Sequence, residues 1–174
     1  MDLSKSLTGK LVRVWGRNAT VGTGWEDVYQ YDQAIDWYTI LTASGSRLDV
    51  TSTNNTADIL AGTGAQKITI YGLGTDRKFQ SETVTMTGQT IASTVASFVD
   101  VFGADVTQSG TGLANAGDIH IVKTGTGGTY TTGAPGTLTG AMVKIFTGWN
   151  TSMCGHFRVP EDGGYYQLID VCVF

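Results

Sequence analysis

Hydrophobic and polar residues alternate along nearly the whole chain, and each alternating run stops at Gly, Asn, Asp or Ser. A period of two sends successive side chains to opposite faces, so these runs predict half-buried strands joined by turns. Residues 11–15 put Val12 and Val14 on one face. Residues 25–31 put Trp25, Tyr29 and Tyr31 on one side with Asp27 interrupting, residues 37–42 follow, and residues 47–52 turn Leu48 and Val50 inward. Further strands are predicted at 118–123, 141–146, 155–159 and 165–173. Many short strands and no strong helix predict an all-β chain folded as an antiparallel two-sheet sandwich. A jelly roll is favoured over an immunoglobulin-like order, because a Cys-Trp-Cys spacing is missing.

The clearest unit is the hairpin within residues 52–90. In residues 67–71 Ile68 and Ile70 point one way, and in residues 82–87 Val84 and Met86 point one way while Thr83, Thr85 and Thr87 point the other. Pairing the two runs through residues 72–79 places the four aliphatic side chains on one core face and Thr, Lys and Glu on the other. A one-residue slip would bury the polar row, so the pattern specifies its own register. Residues 91–102 read two ways: Ile91, Val95, Phe98, Val99 and Phe102 fit a helical face, whereas residues 98–102 also fit a strand. A short turn or helical piece followed by a strand is expected there. Residues 124–140, TGTGGTYTTGAPGTLTG, have almost no apolar side chains and read as a long exposed loop, an ordered tip or a partner-contact arm.

Composition agrees with this pattern. The chain has 174 residues, 24 Gly and only 2 Pro, and Thr takes about one position in six, well above ordinary usage. β-Branched Thr suits a pleated surface and Gly supplies positive-φ turns. The length predicts a single domain over residues 1–174, with a short N-terminal extension (1–10) and the 124–140 loop. A net charge of -4 and a pI near 4.9 argue against direct binding to nucleic acid or anionic membranes, which takes a concentrated basic surface. With no apolar run near the length of a membrane span and no secretory leader at the N-terminus, the expectation is a soluble chain made in a cytoplasm.

Candidate chemistry is sparse, and the expectation is a protein that is not an enzyme, with no catalytic, cofactor-binding or metal site and no cofactor. His120 and His156 alternate with aliphatic residues and are expected to face solvent or an interface. Cys154 and His156, two apart on a strand, share a face and are the one local nucleophile–base pair, but a surface His beside a small residue is the plainer reading. Cys154, His156 and Cys172 lack the close ligand pairs of a zinc site, and the two thiols are expected to stay free. Glu26-Asp27 and Glu161-Asp162 each split across two faces of a strand, which rules out a two-carboxylate engine within either pair. Asp58, Asp76 and Asp118 lie in Gly- and Asn-bearing loops suited to Ca²⁺, although turn-forming Asp is the commoner reason for such placement. Gly72-Leu73-Gly74 precedes no helix and residues 124–128 lack the Lys-Ser/Thr ending of a phosphate loop. Trp25, Tyr29, Tyr31, Trp37 and Tyr38 form an aromatic cluster that fits a core or subunit interface better than a sugar-stacking platform.

The run Thr56-Ala57-Asp58-Ile59-Leu60-Ala61-Gly62-Thr63-Gly64-Ala65 is followed by Lys67-Ile68-Thr69-Ile70-Tyr71-Gly72-Leu73 and by Gln80-Ser81-Glu82-Thr83-Val84-Thr85-Met86-Thr87-Gly88. Later come Asn115-Ala116-Gly117-Asp118-Ile119 and Phe157-Arg158-Val159-Pro160. In this order the segments resemble a pattern in virion structural proteins of tailed bacteriophages, and they cover the middle and end of the chain. The resemblance implies a virion component: a jelly-roll decoration or cement protein on the capsid exterior, a homotrimer partnered by the major capsid protein or other virion proteins. A tail or head-fibre module binding host surface glycans is the alternative. The chain departs from the pattern in ending at Phe174, directly after the strand at 168–173, where further strands are expected. An exposed edge ending Val-Cys-Val-Phe would invite aggregation, so that strand is expected to be covered in an oligomer. Residues 1–10 and 124–140 are the segments expected to reach neighbours.

Overall fold

Among the described residues seven strands form where short alternating runs meet Gly-bounded turns. The computed structural model describes residues 44–153, so the strands expected at 11–15, 25–31, 37–42, 155–159 and 165–173 lie outside the described residues. The strands are β1 (Leu48–Ser52), β2 (Ala65–Gly74), β3 (Phe79–Thr85), β4 (Ala92–Ser93), β5 (Phe98–Ser109), β6 (Ile119–Lys123) and β7 (Ala141–Ile145). They make a four-stranded sheet in the order β4-β1-β6-β7 and a three-stranded sheet in the order β3-β2-β5. Every pairing is antiparallel, and among the described residues there is no helix.

The two sheets share one core. Leu48, Val50, Ile119, Ile121 and Ile145 of the first sheet join Ile68, Ile70, Val84, Phe98 and Val101 of the second in a single buried cluster. The arrangement is an all-β antiparallel sandwich. Each large aliphatic side chain so removed from water contributes on the order of 1.5–3 kcal/mol. The jelly-roll expectation goes further than these seven strands, which establish the two antiparallel sheets.

The central hairpin adopts the register its alternation demands: Ile68 lies opposite Val84, and Ile68, Ile70, Val84 and Met86 are all buried. Glu82 corrects the reading of the polar face. It lies opposite Ile70, on the aliphatic side, where its carboxylate accepts the N–H groups of Val95 at 2.7 Å and Ala96 at 2.8 Å. Two backbone donors thus satisfy an acid at the rim of the core. On the outer face Thr69 Oγ1 is 2.8 Å from Thr83 Oγ1 and 3.0 Å from Thr107 Oγ1, a row of hydroxyls across all three strands.

No helical piece forms in residues 91–102; the segment contributes β4 and the start of β5. Phe98, Val101 and Ala104 all enter the core although they are three apart. The reason is a pair of irregularities in the β2–β5 ladder, whose register passes over Val99 and Phe102. Each skip flips the parity of the strand. Val99 and Phe102 then face outward and pack with Leu73 in a second, smaller cluster. Gly72 makes the close approach possible, because a Cβ there would fall 2.0 Å from the Asp100 carbonyl oxygen.

Candidate functional site

Asp58 ties three parts of the chain together. Its side chain is fully buried. Oδ1 accepts the N–H of Ala65 at 2.7 Å and of Ala116 at 2.9 Å, while Oδ2 accepts the Ser52 hydroxyl at 2.6 Å and the Gly117 N–H at 2.9 Å. Its carbonyl takes the Gly88 N–H at 2.8 Å. Four donors converge on one carboxylate, which makes the burial of its charge tolerable. A cation would face N–H groups there, so Asp58 is an anchor for loops and is not arranged as a Ca²⁺ ligand. Gly64 leaves room for the carboxylate, since a Cβ there would lie 2.1 Å from Oδ1.

The loops joined by Asp58 continue into a second network. Gly110 N–H donates to Gly64 O at 2.8 Å and Gly112 N–H to Thr63 O at 2.7 Å. Asn115 and Asn150 exchange bonds, each backbone N–H donating to the other's side-chain oxygen at 3.1 Å. Asn150 Nδ2 also donates to Leu113 O at 2.8 Å. Asp118 closes the array through Lys144 Nζ at 2.8 Å and through the Thr147 N–H and hydroxyl, both at 2.9 Å. Burial opposes ionisation of Asp118, but the hydrogen bonds from Lys144 and Thr147 outweigh it and hold the carboxyl below its ordinary value. In these loops Leu60 and Leu113 are 55% and 75% exposed, and Trp149, 45% exposed, leans on the Phe146 ring with centroids 5.4 Å apart.

A second surface is the outer face of the four-stranded sheet. Residues 124–140 do not project from it but fold back along it. Thr51 Oγ1 donates to Gly133 O at 2.7 Å, and Asp49 accepts from the Ser93 and Thr124 hydroxyls at 2.8 and 2.9 Å and from Gly125 N–H at 3.3 Å. The loop closes on itself through a Thr131–Ala134 bridge and the Thr137 N–H to Gly127 O bond at 3.0 Å, as a compact Ω-type loop does. Gly133 sits so close that a Cβ would lie 1.9 Å from Ser52 O. The Tyr130 hydroxyl is buried with no hydrogen-bond partner among the described residues. Burial, then the Asp49 charge, push this phenol up to about 12.

His120 belongs to this outer face, opposite Thr51 on β1 and Lys144 on β7. The sequence places it against solvent or an interface; within the chain it is already only 6% exposed. Alternation correctly places it away from the aliphatic core, between Thr51 and Lys144 on the outer face of the sheet, yet that side is buried too. Burial first, and then the Lys144 ammonium, lower its pKa to about 4, with Asp118 pulling the other way.

The remaining candidates separate widely. Asp76 accepts the Lys78 N–H at 3.1 Å within the β2–β3 turn, where Arg77 has a positive φ of 58°, a turn-forming role. Gly72-Leu73-Gly74 is the end of β2. Cys154, His156, Cys172, the acidic pairs Glu26-Asp27 and Glu161-Asp162, the aromatic group Trp25, Tyr29, Tyr31, Trp37 and Tyr38, and residues 1–10 lie outside the described residues. Among the described residues no three His, Cys, Asp or Glu side chains gather as a metal site, and no helix is long and apolar enough to cross a membrane. What residue-by-residue reading missed is the joint role of Asp58, Asn115 and Asn150; Asp58 and Asn115 each sit in a Gly-bearing run, 56–65 and 115–119, but nothing local marks them as meeting. No family model, no curated protein and no solved structure matches this chain.

Proposed function

We propose that this chain is a non-enzymatic structural protein of a tailed-phage virion, a decoration or cement protein of jelly-roll type on the capsid exterior, acting as a homotrimer. The observation that carries the reading is the convergence on Asp58 of the segments with the phage-like pattern: residues 56–65 and 115–117 meet at one carboxylate. The pattern therefore describes a rigid loop platform, suited to repeated contacts with neighbouring subunits. The function is mechanical. Bridging adjacent capsid subunits buries surface on both partners, and many weak contacts repeated by symmetry resist internal pressure together.

Imaging of whole particles tests the reading. The expected result is many copies at lattice positions on the capsid; copies confined to the tail, or particles without the chain, would overturn it.

A further inference from the structure

We infer that the cradle around Asp58 is a binding site for a small carboxylate anion that the chain fills from within, so that shortening residue 58 opens it to a free monocarboxylate of matching size. The cradle presents donors alone. Ala65 N–H at 2.7 Å and Ala116 N–H at 2.9 Å meet Oδ1, while the Ser52 hydroxyl at 2.6 Å and the Gly117 N–H at 2.9 Å meet Oδ2. Ser52 Oγ itself accepts the Asn54 N–H at 3.0 Å, which leaves the hydroxyl proton for the carboxylate. Paired donors on each of two oxygens suit a planar carboxylate, and converging backbone N–H groups form an anion site without a cationic side chain.

Each donor is held by bonds that do not pass through the Asp58 side chain. Ser52 pairs with Ile119 at the end of β1, and Ala65 with Ser109 at the start of β2. Asn115 Nδ2 donates to Gly117 O at 2.8 Å and to Phe146 O at 2.9 Å, and Asp118 N–H donates to Thr53 Oγ1 at 2.9 Å, so residues 116–117 are fixed from both sides. The backbone at residue 58 is anchored as well, by the Gly88 N–H on its own carbonyl and the Gly64 N–H on that of Ala57, both at 2.8 Å. Asp58 is not among the residues with positive φ, so Ala adopts its backbone without strain. With the side chain gone the donors still converge, and their unmet hydrogen bonds favour an incoming anion. The cradle lies just beneath the surface, since Ala116 is exposed although its N–H points inward. Size sets the selectivity. Asp58→Ala removes a carboxylate group, which formate matches, and the methyl of acetate would collide with the Cβ that remains. Asp58→Gly removes that carbon too and admits acetate.

The test is urea denaturation of the full-length wild type and both variants in formate, acetate or chloride at matched ionic strength, with NMR of the Ala65, Ala116 and Gly117 amides. The wild type, its cradle filled, reports the general effect of each salt on stability. For Asp58→Ala the folded-to-unfolded ratio is expected to rise about tenfold for each tenfold rise in formate above its dissociation constant, as one ion bound to the folded state alone requires. Acetate and chloride should change that ratio no more than they change the wild type's. Asp58→Gly should respond to acetate as well, and in each case the three amides should shift saturably. If Asp58→Ala is unfolded in chloride, formate at up to about 1 M is expected to refold it. The inference is overturned if formate stabilises Asp58→Ala no more than the wild type, if chloride does as well as formate, if formate fails to refold an unfolded variant, or if the amides do not move. Neither the site nor its test involves a virion partner, so the proposed function stands or falls separately.

Discussion

Replacing Asp58 with Ala would leave one hydroxyl and three backbone N–H donors facing an empty site, and each buried donor without an acceptor costs about 1–3 kcal/mol. Partial relaxation reduces the sum, so Asp58→Ala is expected to destabilise the chain by about 3–5 kcal/mol, read as a lower urea midpoint. An unchanged midpoint would mean that the carboxylate does not hold the loops. This role was not legible in the sequence for a physical reason: the Ala116 and Gly117 donors lie 58 and 59 residues from Asp58, and nothing local distinguishes an Asp that accepts distant N–H groups from one that starts a turn. His120 gives a pH-dependent test. Its folded pKa is lowered from 6.5 to about 4, so as pH falls the unfolded chain takes up the proton first. Stability is full above 6.5 and declines as pH falls to about 4, by about 3 kcal/mol in all. Asp118, held below 3.8, loses its contribution only at lower pH, outside this window. His120→Gln should therefore lose about 3 kcal/mol less than the wild type between pH 7 and pH 4 in chemical denaturation. Equal losses would show that His120 is not buried neutral.

Among the elements, the β2–β3 hairpin was the most legible because its two strands carry complete period-two patterns, and Ile68, Ile70, Val84 and Met86 are buried as that period requires. Val84→Asp would place a charge between the sheets at a position 6% exposed, and the purified variant is expected to be unfolded or aggregated; a soluble variant with a cooperative melt would refute the pairing. β5 was only half legible. Its inward residues Phe98, Val101 and Ala104 are three apart, a spacing that looks helical in one dimension but arises from two skips in the ladder that re-phase a strand. Gly72 marks one of these skips. With a Cβ 2.0 Å from the Asp100 carbonyl, Gly72→Ala must push β2 and β5 apart locally, at an expected cost of about 1–3 kcal/mol. Thr83→Ala, which removes one hydroxyl from the outer Thr row, should cost about 0.2–1 kcal/mol. If denaturant titrations gave the two variants equal losses, the close approach at Gly72 would not be what sets the register.

For the whole molecule, composition and alternation together pointed to two sheets. They left open how loop and sheet combine, because contacts made through backbone groups of Gly and Thr carry no hydrophobic signature. Residues 124–140 illustrate this: they are exposed over most of their length, as their low complexity reads, and yet Thr51 reaches Gly133 O at 2.7 Å and Asp49 holds Thr124 and Gly125. The loop meets the sheet at Thr51, the cross-strand neighbour of His120, so lifting the loop tests whether it shields the ring. Gly133→Val breaks this seat twice over, through its φ of 80° and through a Cβ 1.9 Å from Ser52 O. It should lift the loop while leaving the inter-sheet core, which lies on the other face of the sheet, in place. The expected signature is faster amide exchange in residues 126–139 with a cooperative melt retained. Water reaching His120 in that variant should raise its pKa from about 4 toward its ordinary value, flattening the stability loss between pH 7 and pH 4. Released exchange with His120 still titrating near 4 would show that groups other than the loop keep the ring dry, and would confine the loop's role to the surface it covers.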